Sequence, residues 1–250
     1  MRFIGVDLSW SSKNTSGVAV MEGDELGLHS IDVRSVTSID DIVDVVRRAV
    51  KPDQPVFIAI DTPLVVPNSS GERKAEELVR MVFGQFDVSP RPANRRSLSE
   101  DGEVRGEVLV KVLGELDISH RPDWKPLERS RKCFEVYPHA ALVSMFRLDR
   151  TLKYNARKGR SYDERRDALE EYRRLLRRLL DASFPKDLVK TDLKGLEGRE
   201  LEDLGGRLDA CFCAYVAYYA WKYPGRCAVL GNLKEGYILT PTLLERREGF

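Results

Sequence analysis

Short hydrophobic runs separated by polar turns open the chain. Three of these runs indicate strands, and the short connections between them predict an antiparallel meander. The three segments are RFIGVDLS, GVAVMEG and LGLHSIDV.

The next two segments have different periodicities. SIDDIVDVVRRAV carries apolar residues at helical spacing, and Ser38 with Asp41 forms a capping-box pattern at its start. PVFIAID is almost continuously apolar, which is typical of a strand buried on both faces of a sheet. A helix followed by a central strand is therefore predicted.

Helical periodicity dominates the segment after Thr62. GERKAEELVRMVFG and GEVLVKVLGELD each predict a helix, and SPRPANRRSLSEDG between them predicts a loop. A further strand is expected from Cys133 to Tyr137, where Pro138 ends it.

The last part of the chain predicts two helices and two strands. Ser161 begins an amphipathic helix, and a Gly-Gly pair precedes a buried helix that contains Asp209. The predicted segments are SYDERRDALEEYRRLLRRLL, RLDACFCAYVAYYAW, CAVLG and GYILTP.

This order of elements fits an α/β fold of the ribonuclease H-like type. Such a fold has a mixed sheet, in which three antiparallel strands are followed by parallel strands, with helices on both faces. We predict one domain over residues 1–250, with helical insertions around 62–132 and 147–205. No internal repeat or low-complexity linker divides the chain.

Four carboxylates interrupt apolar runs at positions that this fold would gather. They are Asp7, Asp61, Glu135 and Asp209. Strands one and four are neighbours in such a sheet, and a late helix packs across their ends. Each acid alone is better explained as a turn or helix cap. The set of four favours a shared site.

Clustered carboxylates repel one another unless a cation is present, and hard oxygen ligands suit Mg²⁺ or Mn²⁺. We predict two such ions, because a pair can activate a water and stabilise the leaving oxygen of a phosphodiester. Asp7 is expected to bridge the ions, with Asp61 and Asp209 on either side. Glu135 is expected to be a fourth ligand or a base.

Five motifs along the chain support the same interpretation: GVDLSWSSKNTSGVAV, AIDTPLVVPNSSGERKAEELVR, FEVYPHAAL, LKYNARKGRSYDERR and RLDACFCAYVAYYAW. Together they resemble the uncharacterised domain family 429, described as predicted nucleases of the ribonuclease H fold. The resemblance covers the chain from about Phe3 to Pro241. It implies that the family's acids fall here on Asp7, Asp61, Glu135 and Asp209.

The first motif is also similar to two other groups of this fold, the Holliday-junction resolvases and the actin-like and sugar-kinase-like ATPases. A nucleotide-binding phosphotransferase is therefore one alternative function. The chain is short for two copies of the fold, and no second glycine-rich loop is evident. A non-catalytic nucleic-acid-binding module is the other alternative.

Basic and aromatic residues indicate a candidate substrate-binding surface. Lys153, Arg157, Lys158 and Arg160 surround Tyr154, a composition that can follow a phosphate backbone and stack a base. A solvated surface explains these cations equally well. Arg73 is expected to neutralise a phosphate or to pair with Glu76, and His139 is a candidate proton donor or phosphate contact, although a helix-capping role is commoner.

Composition limits the partners only slightly. Lysine and arginine total 41 and aspartate and glutamate total 40, so the overall charge predicts no partner. The longest apolar run is too short for a bilayer, and neither an export signal nor a C-x-x-C pair is present. We therefore expect a cytoplasmic protein that binds nucleic acid and no membrane, whether monomeric or a homodimer.

Overall fold

A six-stranded mixed sheet forms the centre of the protein in a computed structural model, which describes residues 1–243. The sheet has the order β3-β2-β1-β4-β8-β7, and two small hairpins, β5-β6 and β9-β10, accompany it. The strands are β1 (Arg2–Asp7), β2 (Ser16–Gly23), β3 (Leu28–Val36), β4 (Val56–Asp61), β5 (Ser99–Glu100), β6 (Glu103–Val104), β7 (Ser119–His120), β8 (Arg131–Glu135), β9 (Cys227–Asn232) and β10 (Gly236–Pro241).

Strand directions change from antiparallel to parallel across the sheet. The pairs β1-β2 and β2-β3 are antiparallel, whereas β1-β4, β4-β8 and β7-β8 are parallel. The predicted meander is therefore confirmed, as is the prediction that the first and fourth strands are neighbours. The two terminal strands are also confirmed, as the hairpin β9-β10.

Eight α-helices connect the strands within residues 1–243. The predicted cap of the first is confirmed, because Ser38 Oγ accepts from the Asp41 N–H at 3.0 Å. The helices are α1 (Ile39–Ala49), α2 (Lys74–Phe83), α3 (Arg95–Leu98), α4 (Arg105–Gly114), α5 (Pro138–Phe146), α6 (Tyr162–Leu180), α7 (Lys186–Lys190) and α8 (Gly198–Lys222).

The two faces of the sheet bury separate cores, because side chains alternate along each strand. In β1, Phe3 packs in a core with residues of α6 and α8, whereas Ile4 and Val6 pack in a core with residues of α1 and α4. In β4, Phe57 faces the first of these cores and Ile58 the second. This alternation decides from which face of the sheet the acid at each strand end projects.

Helix α8 lies directly on β1. A Cβ built on Gly5 of β1 would come within 2.0 Å of the Ala210 carbonyl oxygen, so only glycine permits this contact. The backbone of α8 can therefore approach the sheet closely, next to the point where β1 ends.

Three sequence predictions need correction. Helix α8 begins at Gly198, and the Gly-Gly pair expected to precede it lies inside the helix, where Gly206 faces Asp7 of the sheet. The segment expected to be a loop contains α3, capped by the Asn94 side chain, and the first strand of the hairpin β5-β6. Strand β8 spans Arg131–Glu135 rather than 133–137. No helix within the described residues is both long enough and apolar enough to cross a membrane.

Candidate functional site

Two predicted acids lie side by side at the ends of neighbouring strands. Asp7 and Asp61 are the last residues of β1 and β4, and they are paired in register across this parallel ladder. Neighbouring strands lie about 4.8 Å apart. Alternation places both side chains on the face that α8 covers, as for Phe3 and Phe57.

Asp209 reaches the same region from α8. It lies about three turns into the helix rather than in its first turns, so the helix dipole does not explain this acid. Its Oδ1 accepts hydrogen bonds from the Tyr154 hydroxyl at 2.7 Å and from the Tyr172 hydroxyl at 2.9 Å. The side chain is thereby held in one orientation.

The three aspartates influence one another electrostatically. Burial raises the pKa of Asp7 well above its ordinary value, and the charge of Asp209 adds to this effect. Burial, and then the charges of Asp7, Asp209 and, least of these, Glu135, likewise raise the pKa of Asp61. Burial raises the pKa of Asp209 to about 7, against the two tyrosine hydrogen bonds that favour its ionised form. Within residues 1–243, no side chain donates a hydrogen bond to the carboxylate of Asp7 or Asp61.

Glu135 does not join this cluster, which corrects its expected role as a ligand or base. It is paired in register with Ile60, one position before Asp61, so its side chain leaves the other face of the sheet. Both carboxylate oxygens accept from the Arg73 guanidinium, at 2.5 and 3.0 Å, and the Leu64 N–H donates to Oε2 at 2.8 Å. Glu135 is therefore a buried structural acid.

Arg73 is likewise buried rather than exposed to a substrate. Its side chain is 1 % exposed, and it pairs with Glu76 as well as with Glu135. Burial lowers its pKa, but the two carboxylates outweigh burial and raise the pKa above the ordinary value, so the guanidinium stays charged. The predicted phosphate contact by Arg73 must therefore be withdrawn, whereas its pairing with Glu76 is confirmed.

A cavity of about 780 Å³ opens above Asp7 and Asp61, and both acids line it. Among the predicted cations, Lys153, Arg157 and Arg160 line this cavity, whereas the exposed Lys158 does not. Arg80 and Arg91, which the sequence also offers as possible phosphate or substrate contacts, line the cavity as well. Five cations thus line the cavity that the two carboxylates share, together with the acids Asp87 and Glu202.

The surroundings of Tyr154 and His139 do not suit the roles predicted for them, base stacking and proton donation. Tyr154 is 2 % exposed and holds Asp209, so it cannot stack a substrate base. His139 lines the cavity, stacks on Tyr154, and contacts Thr151 Oγ1 and Asn155 Nδ2 at 2.9 and 2.8 Å. Burial, with Arg160 and Arg157, lowers the pKa of His139 to about 4, so the ring is neutral at pH 7 and is a poor proton donor.

Several further residues that line the cavity were missed from the sequence, among them Trp10, Tyr137 and Glu202. Trp10 lies three positions after Asp7, and that proximity was the one available signal. Tyr137 was interpreted only as the end of a strand. Glu202 precedes Asp209 by seven positions, which is two helical turns, so both residues share one face of α8.

The predicted ligand set is not assembled as one group. Within the described part of the chain, no three or more histidine, cysteine, aspartate or glutamate side chains are placed so that they could hold a metal ion together. Asp7 and Asp61 remain as an adjacent pair, and Asp209 stands with one oxygen occupied by tyrosines. Two carboxylates are enough for Mg²⁺, which keeps several waters and binds substrate oxygens.

Comparison with known proteins identifies the family. The family described as "Protein of unknown function (DUF429)" matches residues 5–235. This protein belongs to the DUF429 family. The match includes Asp7, Asp61 and Asp209 of this DUF429 protein, together with every cavity residue named above. No curated protein and no solved structure matches the chain.

Proposed function

We propose that this DUF429 protein is a divalent-metal-dependent nuclease that hydrolyses phosphodiester bonds of nucleic acid. One observation carries the proposal: Asp7 and Asp61 are adjacent, lack partners among residues 1–243, and line a cavity that five cations also line. Two neighbouring unpaired carboxylates are unfavourable in a folded protein unless a cation joins them.

The donor set fits Mg²⁺ or Mn²⁺. Asp7 and Asp61 supply hard oxygen atoms at rigid strand ends, and cations of this class accept one or two carboxylates together with waters and phosphate oxygens. A bound ion would lower the pKa of a water and polarise a phosphoryl oxygen. A second ion remains a prediction. Asp209, its expected ligand, already accepts hydrogen bonds from Tyr154 and Tyr172 at Oδ1.

The surrounding residues have separable roles in this proposal. Asp7 and Asp61 hold the cation. Asp209, fixed by its two tyrosines, faces them from α8 and adds negative charge that favours cation binding. Arg157 and Arg160 attract the phosphate backbone, whose affinity for such side chains is strong and salt-dependent. His139 remains neutral and supports the ring of Tyr154.

The arrangement of the fold supports the same proposal. The sheet has three antiparallel strands followed by parallel ones, with α8 lying across β1 and β4 beside the two acids. This is the arrangement expected of a ribonuclease H-like domain, which we propose as the fold type. In this fold class, as in others, function must still be argued from the site.

A non-catalytic nucleic-acid-binding module is a second candidate. It is favoured by the absence, within residues 1–243, of three acids placed to share a metal, together with the five cations that line the cavity. A binding module would use those cations and would have no need of the two adjacent carboxylates. Cleavage therefore distinguishes the two candidates.

The test is a cleavage assay on labelled single-stranded and duplex DNA and RNA, with Mn²⁺, Mg²⁺ or EDTA. We expect cleavage that requires the metal and is lost in both Asp7→Asn and Asp61→Asn. The matched control is Asp53→Asn, because Asp53 is exposed and precedes β4 at its other end.

Binding without cutting under every condition would support the binding module and contradict the proposed nuclease. Metal-dependent ATP hydrolysis without nucleic-acid binding would instead support the phosphotransferase alternative. Equal cleavage by Asp7→Asn and the parent protein would show that the two acids do not form the active site.

A further inference from the structure

Trp10 differs from the other two tryptophans in its surroundings. The indole N–H groups of Trp124 and Trp221 donate to the carbonyl oxygens of Ala220 and Glu128, each at 2.9 Å. Trp10 is half-buried and lines the cavity, and its indole N–H has no acceptor among residues 1–243. The structural needs of the fold therefore do not account for the polar edge of this ring.

A small apolar cluster supports Trp10 from behind. The cluster belongs to the segment between β4 and α4, and Trp10 packs against it as a partly buried member. Its buried residues are Val66, Ala93, Leu98 and Val104. The indole ring is therefore anchored on the cluster while it also borders the cavity.

The loop that carries Trp10 is fastened on both sides of the residue. Arg105 Nε donates to the Ser9 carbonyl oxygen at 3.0 Å, and the Ser12 N–H donates to Glu100 Oε2 at 2.9 Å. Both partners come from the inserted segment. The ring is thus positioned before any ligand arrives, which lowers the entropic cost of binding.

Available positive charge lines the same cavity. Arg91 is exposed and has no ion-pair or hydrogen-bond partner within the described residues, and Arg157 makes one contact of 3.3 Å, to the Ser89 carbonyl oxygen. Arg80 and Lys153, in contrast, are paired with Glu72 and Asp87. Arg91 and Arg157 are therefore the cations that are most available to a phosphate.

We propose that this cavity binds single-stranded nucleic acid, with one base stacked on Trp10 and backbone phosphates contacted by Arg91 and Arg157. The inference rests on the proposed function, because it names the substrate class of the same site. Aromatic stacking combined with a basic groove is how proteins bind single strands with little sequence preference. Bases in a duplex are stacked on each other, so a ring within a cavity could reach one only after unpairing.

Binding can be measured separately from cleavage, in EDTA, by fluorescence anisotropy of labelled oligonucleotides. The probes are single-stranded DNA, single-stranded RNA, the corresponding duplexes, and a dinucleotide as competitor. We expect single strands to bind more tightly than duplexes, and Trp10→Ala to weaken single-strand binding by about tenfold, as for loss of one stacking contact. Trp10→Phe should retain most of the affinity, because a phenyl ring still stacks.

Two controls keep the result interpretable. Tyr223→Ala removes an aromatic ring that is 38 % exposed and does not line the cavity, and it should bind like the parent protein. If Trp10→Ala does not fold, intrinsic fluorescence replaces it: a single strand should quench the parent protein and leave Trp10→Phe almost unchanged. Trp124 and Trp221 remain in that variant, with their indole N–H groups bonded to the backbone.

The outcomes separate this inference from the proposed function. Single-strand binding that depends on Trp10 without cleavage in Mn²⁺ would support the inference and contradict the nuclease. Metal-dependent cleavage with affinity unchanged in Trp10→Ala would support the nuclease and contradict the inference. Equal affinity for duplex, or a dinucleotide that binds as tightly as a longer single strand, would overturn the inference. A difference between the DNA and RNA arms would name the natural polymer.

Discussion

The carboxylates of Asp7 and Asp61 project from paired positions at the ends of two adjacent parallel strands, on the face that α8 covers. Two like charges at this spacing repel each other, and each carboxyl group has a pKa raised by burial and by neighbouring aspartates. The metal-free protein therefore carries an electrostatic cost at this site. A bound divalent cation would turn that cost into an attraction.

The variant Asp7→Asn should be as stable as the metal-free parent protein, or slightly more so. A carboxyl group whose pKa is raised by folding binds its proton more tightly in the folded state, so its destabilising effect grows as the pH rises towards the folded pKa. The Tm difference between variant and parent should accordingly be larger at pH 8 than at pH 5. Each kcal/mol of relief corresponds to roughly 2–4 °C for a protein of this size.

Adding Mn²⁺ should reverse this order. A cation at 100 times its Kd would stabilise the parent protein by about 2.7 kcal/mol, and Asp7→Asn should lose that gain. A clear fall in Tm for the metal-free variant would instead mean that Asp7 stabilises the loop after β1. Differential scanning fluorimetry in EDTA and in Mn²⁺ measures both effects.

Gly206→Ala tests whether the position of Asp7 matters independently of its charge. A Cβ at Gly206 would lie 2.8 Å from Asp7 Oδ2, so the carboxylate must move away from α8. We expect Mn²⁺ affinity and cleavage to fall while stability stays close to that of the parent, because alanine is favoured over glycine within a helix by roughly 0.5–1 kcal/mol. Calorimetric titration with Mn²⁺ measures the affinity.

The matched control for that variant is its neighbour, Gly205→Ala. A Cβ at Gly205 would meet Tyr154 Cδ2 at 3.6 Å, which is an ordinary contact. This variant should bind Mn²⁺ like the parent protein. Equal affinity in both glycine variants would indicate that Asp7 can bind the cation from a displaced position, or that it does not bind it.

Protonation of His120 should destabilise the fold on acidification, an effect opposite in sign to that of the buried aspartates. Burial lowers its pKa to about 4, and the neutral ring lies 2.9 Å from the Tyr237 hydroxyl. Since the folded pKa is below the unfolded value, the contribution of the neutral His120 ring to stability is fully present above pH 6.5 and is lost as the pH falls towards 4. For this partly exposed ring, the loss is on the order of 2 kcal/mol.

Urea unfolding at pH 7 and pH 4.5 checks this effect. His120→Gln should remove part of the pH-dependent loss of free energy, while the lowered pKa of His139 maintains another part. His29→Gln, which changes an exposed histidine, should leave the loss in place. An identical pH dependence in His120→Gln and the parent protein would refute the contribution of His120.

The salt dependence of binding should identify the cations that contact phosphate. Arg91 and Arg157 are the lining cations proposed to contact phosphate, so the double variant to alanine should flatten the plot of log affinity against log salt by about one unit for each lost contact. Lys158→Ala changes a neighbouring cation that does not line the cavity, and its slope should stay nearer that of the parent. A larger change of slope in Lys158→Ala than in the double variant would mean that the nucleic acid binds outside the cavity.

The placement of Asp7 and Asp61 could be predicted from the sequence, because each acid ends an apolar run that identifies its own strand. The position of Glu135 could not. Whether its side chain shares a face with Asp61 depends on a register of one residue between β4 and β8, and that pairing brings together segments far apart in the chain. Its burial beside Arg73 follows from the register.

Asp209 and its surroundings show a second limit of prediction from the sequence. The apolar run around it predicted a buried helix, and the Gly-Gly pair suggested that this helix begins after Gly206. Helix α8 instead begins at Gly198 and includes both glycines, of which Gly206 faces Asp7. Tyr154 and Tyr172 precede Asp209 by 55 and 37 positions, so local pattern contains no sign of their hydrogen bonds. For this reason Tyr154 was predicted to contact substrate, whereas its hydroxyl group donates to Asp209.

The most direct test is the location of Mn²⁺ by anomalous diffraction from a crystal soaked in the ion. We expect a peak in contact with carboxylate oxygens of both Asp7 and Asp61, at about 2 Å from each, as is usual for small hard divalent cations. Asp209 should lie next to this peak, with its Oδ1 still bonded to Tyr154 and Tyr172. A saturated crystal without a peak at either carboxylate, or carboxyl groups more than about 10 Å apart, would contradict a shared metal site.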